Sequence, residues 1–302
     1  MKKLASILLF ALILSGCNIL TTTNAKPNKA RLDISYLPVL QGMFYEAFLV
    51  NSSEYISLGK FNIDRDQNIF SLEKSKISKN KFNLPGNYTI YDKFMITVEN
   101  QYDRDSAPSE SIILEGKFKP DDLTVVLGFK MMDLSDIGGT FRLATPSDYE
   151  SDNEENGIWF YQVKDGKEIP SLKLPFAVQG WIYEAWIKKD YQYISLGEIG
   201  DVYNPDLNNK HSASNLLIKY PGEDFLQDPP KDIKFPMNLN DGKTKLIITL
   251  EPWINPELSQ NREFPFDYKI LEKTIPKNLE PNIDIKLEKT PMIGATIEFV
   301  PK

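Results

Sequence analysis

Apolar and polar residues alternate with a period of two through nine short stretches of this chain. They are Leu32–Tyr36, Phe44–Val50, Phe94–Glu99, Leu123–Leu127, Thr140–Ala144, Trp159–Val163, Trp181–Ile187, Leu246–Leu250 and Thr296–Val300. That period sends successive side chains to opposite faces of an extended strand. Clusters of Asn, Asp, Gly and Pro separate the stretches, and aromatic and β-branched residues fill them. The pattern predicts an all-β protein built from antiparallel sheets. The acidic run Ser151–Asn156 reads as a solvated loop.

One pattern occurs twice. Gln41–Gly59 aligns with Gln179–Gly197 at an offset of 138 without gaps, and ten of the nineteen positions are identical. Phe94–Glu99 answers Leu246–Glu251, and Ile137-Gly138-Gly139-Thr140 answers Ile293-Gly294-Ala295-Thr296, at offsets of 152 and 156. The growing offset places insertions in the second copy, largely around Asp201–Lys234. A single pair with so long a period indicates a duplicated domain rather than a solenoid. The expectation is two tandem antiparallel β-sandwich domains, residues 31–147 and 148–302, with the junction between Asp136 and Asn156.

Each copy puts a glutamate among aromatic residues. On a strand, Met43, Tyr45, Ala47 and Leu49 share one face, matched by Trp181, Tyr183, Ala185 and Ile187. Phe44, Glu46, Phe48 and Val50 share the other, matched by Ile182, Glu184, Trp186 and Lys188. A carboxylate in a half-apolar row needs donors, because an unpaired buried charge costs several kcal/mol. Tyr45, Glu46, Tyr183, Glu184 and Trp186 therefore have two readings. In the first, the glutamates pin a strand to a loop by accepting backbone N–H groups or pairing with a basic side chain. In the second, carboxylate and aromatic surfaces together hold a sugar or an amine.

The N-terminus changes the picture of location. Met1-Lys2-Lys3, the apolar run Leu4–Leu14 and Ser15-Gly16 describe a secretory leader over residues 1–16, too short to span a bilayer. Leu14-Ser15-Gly16-Cys17 matches the bacterial lipobox, so Cys17 is expected to carry acyl chains. Each buried methylene of such chains contributes about 0.8 kcal/mol, and two or more chains make attachment stable. Residues 17–30 read as a lipidated, flexible tether. Asn18 after the cysteine leans toward an outer membrane where the cell has one. Cys17 is the sole cysteine, which excludes an internal disulfide and a cysteine-built metal centre. The formal net charge is −7, and losing Lys2 and Lys3 with the leader makes it −9, a poor surface for nucleic acid.

The runs Tyr183-Glu-Ala-Trp186, Ser195-Leu-Gly197 and Ile248-Thr-Leu-Glu-Pro252 resemble the extracytoplasmic C-terminal domain of anti-sigma-K factors. Gly59-Lys60-Phe61 fits that family's Gly-x-Phe turn, whereas Gly197-Glu198-Ile199 departs from it. Asn100 stands in the first copy where the second has the family's proline, Pro252. The resemblance implies a β-sandwich fold. It does not imply sigma-factor binding, because the cytoplasmic helical domain and membrane span of that family have no counterpart here.

Other chemistry is sparse. His211 is the sole histidine and lies in the polar stretch Asn208–Asn215, which reads as surface. Glu223 and Asp224 read as residues of a solvated loop. Asp64, Asp66, Asn68 and Glu73 carry an EF-hand-like spacing after Asn62, but Gln67 stands where the turn glycine belongs, and a hairpin loop accounts for the same residues. No cofactor is called for. The expected function is non-enzymatic binding at the cell envelope, with the membrane held through the lipid and a protein or glycan as partner. A carbohydrate-active envelope enzyme and an accessory of an envelope-stress sensor are the alternatives.

Overall fold

The computed structural model describes residues 26–301 apart from 74–76, 208–209, 214–218 and 254–262. Cys17 and the leader lie outside the described residues. The described chain is all-β, as the alternation predicts. The first nine strands are β1 (Lys29–Ser35), β2 (Met43–Val50), β3 (Tyr55–Ile63), β4 (Ile69–Ser71), β5 (Ile77–Ser78), β6 (Lys81–Asn83), β7 (Lys93–Asn100), β8 (Ile112–Lys117) and β9 (Thr124–Gly128). Next come β10 (Gly138–Leu143), β11 (Gly157–Trp159), β12 (Tyr161–Lys164), β13 (Lys167–Pro170) and β14 (Leu172–Lys173). The remainder are β15 (Trp181–Lys189), β16 (Gln192–Ile199), β17 (Gly222–Asp224), β18 (Lys245–Pro252), β19 (Lys269–Thr274), β20 (Ile285–Lys286), β21 (Glu288–Lys289) and β22 (Gly294–Val300).

A ten-stranded antiparallel sheet runs β4-β3-β2-β7-β8-β9-β22-β1-β6-β5. Its edge strands β4 and β5 come side by side, so the sheet curls nearly into a barrel. Aromatic rings fill the inside: Phe82 on β6 meets Phe61 on β3 edge-on at 5.5 Å, and Tyr88 stacks on Phe299 of β22 at 5.5 Å. Burying such a ring contributes about 1.5–3 kcal/mol. A five-stranded sheet, β16-β15-β18-β19-β21, and a second one built on β10, β11, β14, β17 and β20 accompany the ten-stranded sheet, with β12–β13 as a separate hairpin.

Sheet membership does not follow the linear order expected from the junction near residue 147. β22 lies between β9 and β1, pairing Ala295 with Leu127 and with Ile34. β10, the strand after β9, pairs instead with β20, β11 and β14. β22 alternates strictly and Thr140–Leu143 of β10 alternates in residue type, a period that would serve either sheet equally well. The buried apolar residues accordingly form one connected cluster rather than two. Trp181 meets Phe129 edge-on at 5.3 Å, and the Ser111 hydroxyl donates to Gly180 O at 2.7 Å. Gly180 has φ +86°, and a Cβ there would sit 2.4 Å from Glu110 O, so this contact admits only glycine.

The repeated Tyr-Ile-Ser-Leu-Gly has a geometric cause. β2 and β3 shift register between Ala47 and Phe48, so that Gly59 and Ser57 face successive β2 residues and Leu58 is the extra one. β15 and β16 do the same between Ala185 and Trp186, with Leu196 extra. Gly59 and Gly197 adopt φ of 131° and 126° at these bulges, backbone that favours glycine. The bulge turns Leu58 and Leu196 into the core and brings the Ser57 and Ser195 hydroxyls to the glutamates on the opposite face.

Candidate functional site

Glu46 on β2 and Glu184 on β15 are both buried, and each accepts the hydroxyl of the bulge serine on the neighbouring strand; the Ser195–Glu184 bond is 2.6 Å. On the other side, Thr97 of β7 and Thr249 of β18 stand opposite the glutamates. Each threonine donates to a second buried carboxylate two residues on, Glu99 or Glu251. Those second carboxylates take backbone N–H groups from an incoming loop, Ser109 N at 2.9 Å and Phe266 N at 3.0 Å. Backbone N–H groups or a basic side chain were expected as partners of Glu46 and Glu184: Lys60 is such a partner for Glu46, and Glu99 and Glu251 also take N–H groups from incoming loops. Burial raises the Glu99 pKa, and the Ser109 and Thr97 bonds oppose it.

Tyr45 and Tyr183 lie on the core face. Tyr45 Oη donates to Pro38 O at 2.6 Å, and Tyr183 Oη meets Met132 Sδ at 2.9 Å. Burial raises both phenols far above their ordinary range, so they act as neutral packing groups.

The two networks differ at one aligned position. Opposite Glu46 on β3 stands Lys60, whose Nζ lies 3.6 Å from Glu46 and 3.8 Å from Asp103 and covers the Phe44 ring at 4.7 Å. Opposite Glu184 on β16 stands Glu198, a second carboxylate. Above this pair a cavity of about 750 Å³ opens, lined by Glu184, Trp186, Tyr193, Ser195, Glu198 and His211 among others. Trp186 is 1% exposed, and its indole N–H is buried with no acceptor among the described residues.

Further lining comes from Leu207, Lys210 and His211 and from Pro230–Ile233. Leu207 N donates to Glu198 O at 3.1 Å, and the Asp206 carboxylate accepts Gly222 N at 2.7 Å. A Cβ on Gly197 would lie 2.7 Å from the Asp206 side chain, so the bulge glycine also lets the insertion approach. His211 is not the surface residue that its polar surroundings suggest. It is 4% exposed, edge-on to Phe235 at 5.1 Å, with its carbonyl accepting Leu226 N and Gln227 N. Burial lowers its pKa, so the ring is neutral at neutral pH.

Glu223 and Asp224 also depart from expectation, lying fully buried on β17 rather than in a solvated loop. Asp224 accepts Trp159 Nε1 at 2.6 Å and Ser147 N at 2.8 Å, and Ser212 donates to Glu223. Burial pushes Glu223 up to about 8 and Asp224 up to about 6. Hydroxyl and indole partners at distant sequence positions compensate the polar groups, which is why local polarity misread them. The run Ser151–Asn156 is only partly solvated: Asn156 is buried, and Glu154 accepts Thr145 N at 2.7 Å.

Asp64–Asn68 is the hairpin connection between β3 and β4, and Glu73 lies past β4. Asp64 accepts Asp66 N and Asn68 N, both at 2.9 Å, and Glu73 faces Lys60 N at 3.4 Å instead of Asp64. Among the described residues no group of three or more His, Cys, Asp or Glu is arranged to hold a metal ion. Comparisons of the chain with protein-family models, with curated proteins and with solved structures return no match.

Proposed function

We propose that this chain is an extracytoplasmic lipoprotein, anchored through acylated Cys17, whose role is non-enzymatic binding at the cell envelope. It is one β unit copied in tandem, over residues 31–147 and 148–302, and the copies have exchanged strands. β22 of the second copy completes the sheet of β9, while β10 of the first lies beside β20. The same bulge, serine, threonine and second carboxylate in both copies support the duplication. The first copy serves as scaffold, and the second has become the binding copy.

One observation carries this division: where Lys60 covers Glu46, the aligned Glu198 faces Glu184 beneath the cavity. Glu198→Lys tests it. The lysine is expected to bridge to Glu184, close the cavity and abolish binding of envelope extract components while the protein keeps its melting temperature. Unchanged capture by the variant would overturn the assignment. The anchor is tested separately with clickable palmitate in cells. The protein should be labelled, and Cys17→Ala should be unlabelled and released from membranes; unlabelled wild-type protein would overturn the lipoprotein reading.

A second reading, a carbohydrate-active enzyme, is favoured by the same pair, since Glu184 and Glu198 are two carboxylates lining one cavity. Paired carboxylates are the machinery of glycoside hydrolysis. Release of reducing sugar that Glu198→Gln eliminates would establish it in place of simple binding.

A further inference from the structure

We infer that the cavity between β15, β16 and the insertion binds a neutral saccharide. This rests on the reading of that cavity as a binding site and adds the chemistry of its occupant. Three features converge on one ligand class. Trp186 presents a buried indole N–H with no acceptor, on the cavity wall. A buried donor left this way is unfavourable, and an oxygen acceptor on a ligand would satisfy it. Beside it Glu184 and Glu198 can only accept hydrogen bonds while ionised.

Aromatic rings add the third feature. Tyr193 and Phe264 meet edge-on at 6.2 Å on the cavity lining, and Tyr191 beside them is 94% exposed. Phe264 is half exposed and Tyr193 partly so, with Lys188 Nζ over the Tyr193 ring, and exposed ring surface suits the C–H face of a sugar. A volume of about 750 Å³ falls within the ~300–1,000 Å³ typical of small-molecule sites. It suits a short oligosaccharide rather than a polymer threaded through.

The competing ligand classes each fail one feature. An ammonium group would satisfy the carboxylates but leaves the indole N–H without an acceptor. A phosphate or carboxylate would accept from the indole, but the lining sets Glu184, Glu198, Asp232 and Glu263 against Lys210 and Lys231, so acids outnumber bases and an anion is disfavoured. A hydroxyl both donates and accepts, so a row of hydroxyls on an apolar ring serves the indole, the glutamates and the aromatic rings at once. The Ser195 hydroxyl adds no competing demand, since it donates to Glu184 and accepts Gly197 N at 3.0 Å.

The test uses the full lipidated protein in a sugar-free detergent, probed with an array of neutral oligosaccharides, with spermidine and inorganic phosphate as controls. Binding is followed by indole fluorescence and calorimetry. One or more neutral saccharides should bind. Trp186→Phe, which keeps a ring but removes the N–H, should weaken that binding about tenfold. Tyr193→Ala should weaken it as well, and Glu198→Lys should abolish it, with native melting temperatures checked for each variant. Spermidine or phosphate binding that Glu198→Lys abolishes, with no saccharide bound, overturns the ligand class but keeps the binding site. Absence of every probe, or saccharide binding indifferent to both Trp186→Phe and Glu198→Lys, overturns the inference.

Discussion

Glu46 and Glu184 occupy the same place in two copies of one pattern, yet they lead to opposite outcomes. Both accept a bulge serine, and both stand opposite a threonine that holds a second carboxylate. In the first pattern Lys60 pairs with the glutamate, and its Nζ lies over the Phe44 ring. In the second copy the aligned position is Glu198, an insertion stands off the sheet, and a cavity remains. The two register positions differ in charge sign, Lys60 opposite Glu46 and Glu198 opposite Glu184. The scaffold beneath is common to both.

The largest expected effect concerns charge buried with the insertion. Glu223 has its pKa raised to about 8 against an ordinary value of 4.5, so the folded state holds a proton the unfolded chain gives up. Its contribution is fully present below about pH 4.5 and is lost as pH rises through about 8. Stability should therefore fall by on the order of 3 kcal/mol between pH 5 and 9, given about 1.4 kcal/mol per pKa unit discounted for relaxation. Asp224, raised to about 6, adds to the lower part of that slope. Chemical denaturation across this range measures it, and Glu223→Gln should flatten most of the slope. An unaltered slope would show that the second copy's buried acids are not what titrates.

The next effect separates the two glutamates. Glu46→Ala removes the partner of Lys60 and of Ser57 together and should cost about 2 kcal/mol. Glu184→Ala also strands a serine but relieves the facing carboxylates, so its cost should stay below about 1 kcal/mol. Equal losses in urea melts would mean that Lys60 and Glu198 do not distinguish the copies. A smaller effect is expected at the hairpin of the first copy. Asp64→Ala loses two backbone N–H bonds at an exposed turn and should lower the melting temperature slightly. Adding millimolar calcium to the wild type should leave its melting temperature unmoved, and a calcium-dependent rise would restore the ion-binding reading of Asp64, Asp66, Asn68 and Glu73.

Much of this was legible along the chain, and the reasons are local. Period-two alternation depends only on neighbouring residues, so strands such as β2, β7, β15 and β18 were readable from it. The repeated Ser-Leu-Gly marked a feature before its cause, a bulge that needs glycine, was visible. The pairing of β22 with β9 was not legible, because alternation specifies which face is buried and says nothing about which sheet supplies the neighbours. His211, Glu223 and Asp224 misled for a related reason. Polar residues predict solvent only when their partners are water, and here Trp159, Ser147 and Ser212 take that place from elsewhere in the sequence. The Lys60-to-Glu198 change was present in the alignment all along. What it lacked was the register that sets each residue opposite a glutamate.

The placement of β22 has a consequence in time. Arg31 on β1 pairs with Glu298 on β22 across 267 positions of chain. A polypeptide emerging from the ribosome exposes β1 and β9 long before the strand that belongs between them exists. Until then the gap in that curled sheet stays open, with two unsatisfied edges, and contacts so distant in sequence form slowly. Closure waits for β22, so the sheet that opens with β1 is completed only when β22 has been made.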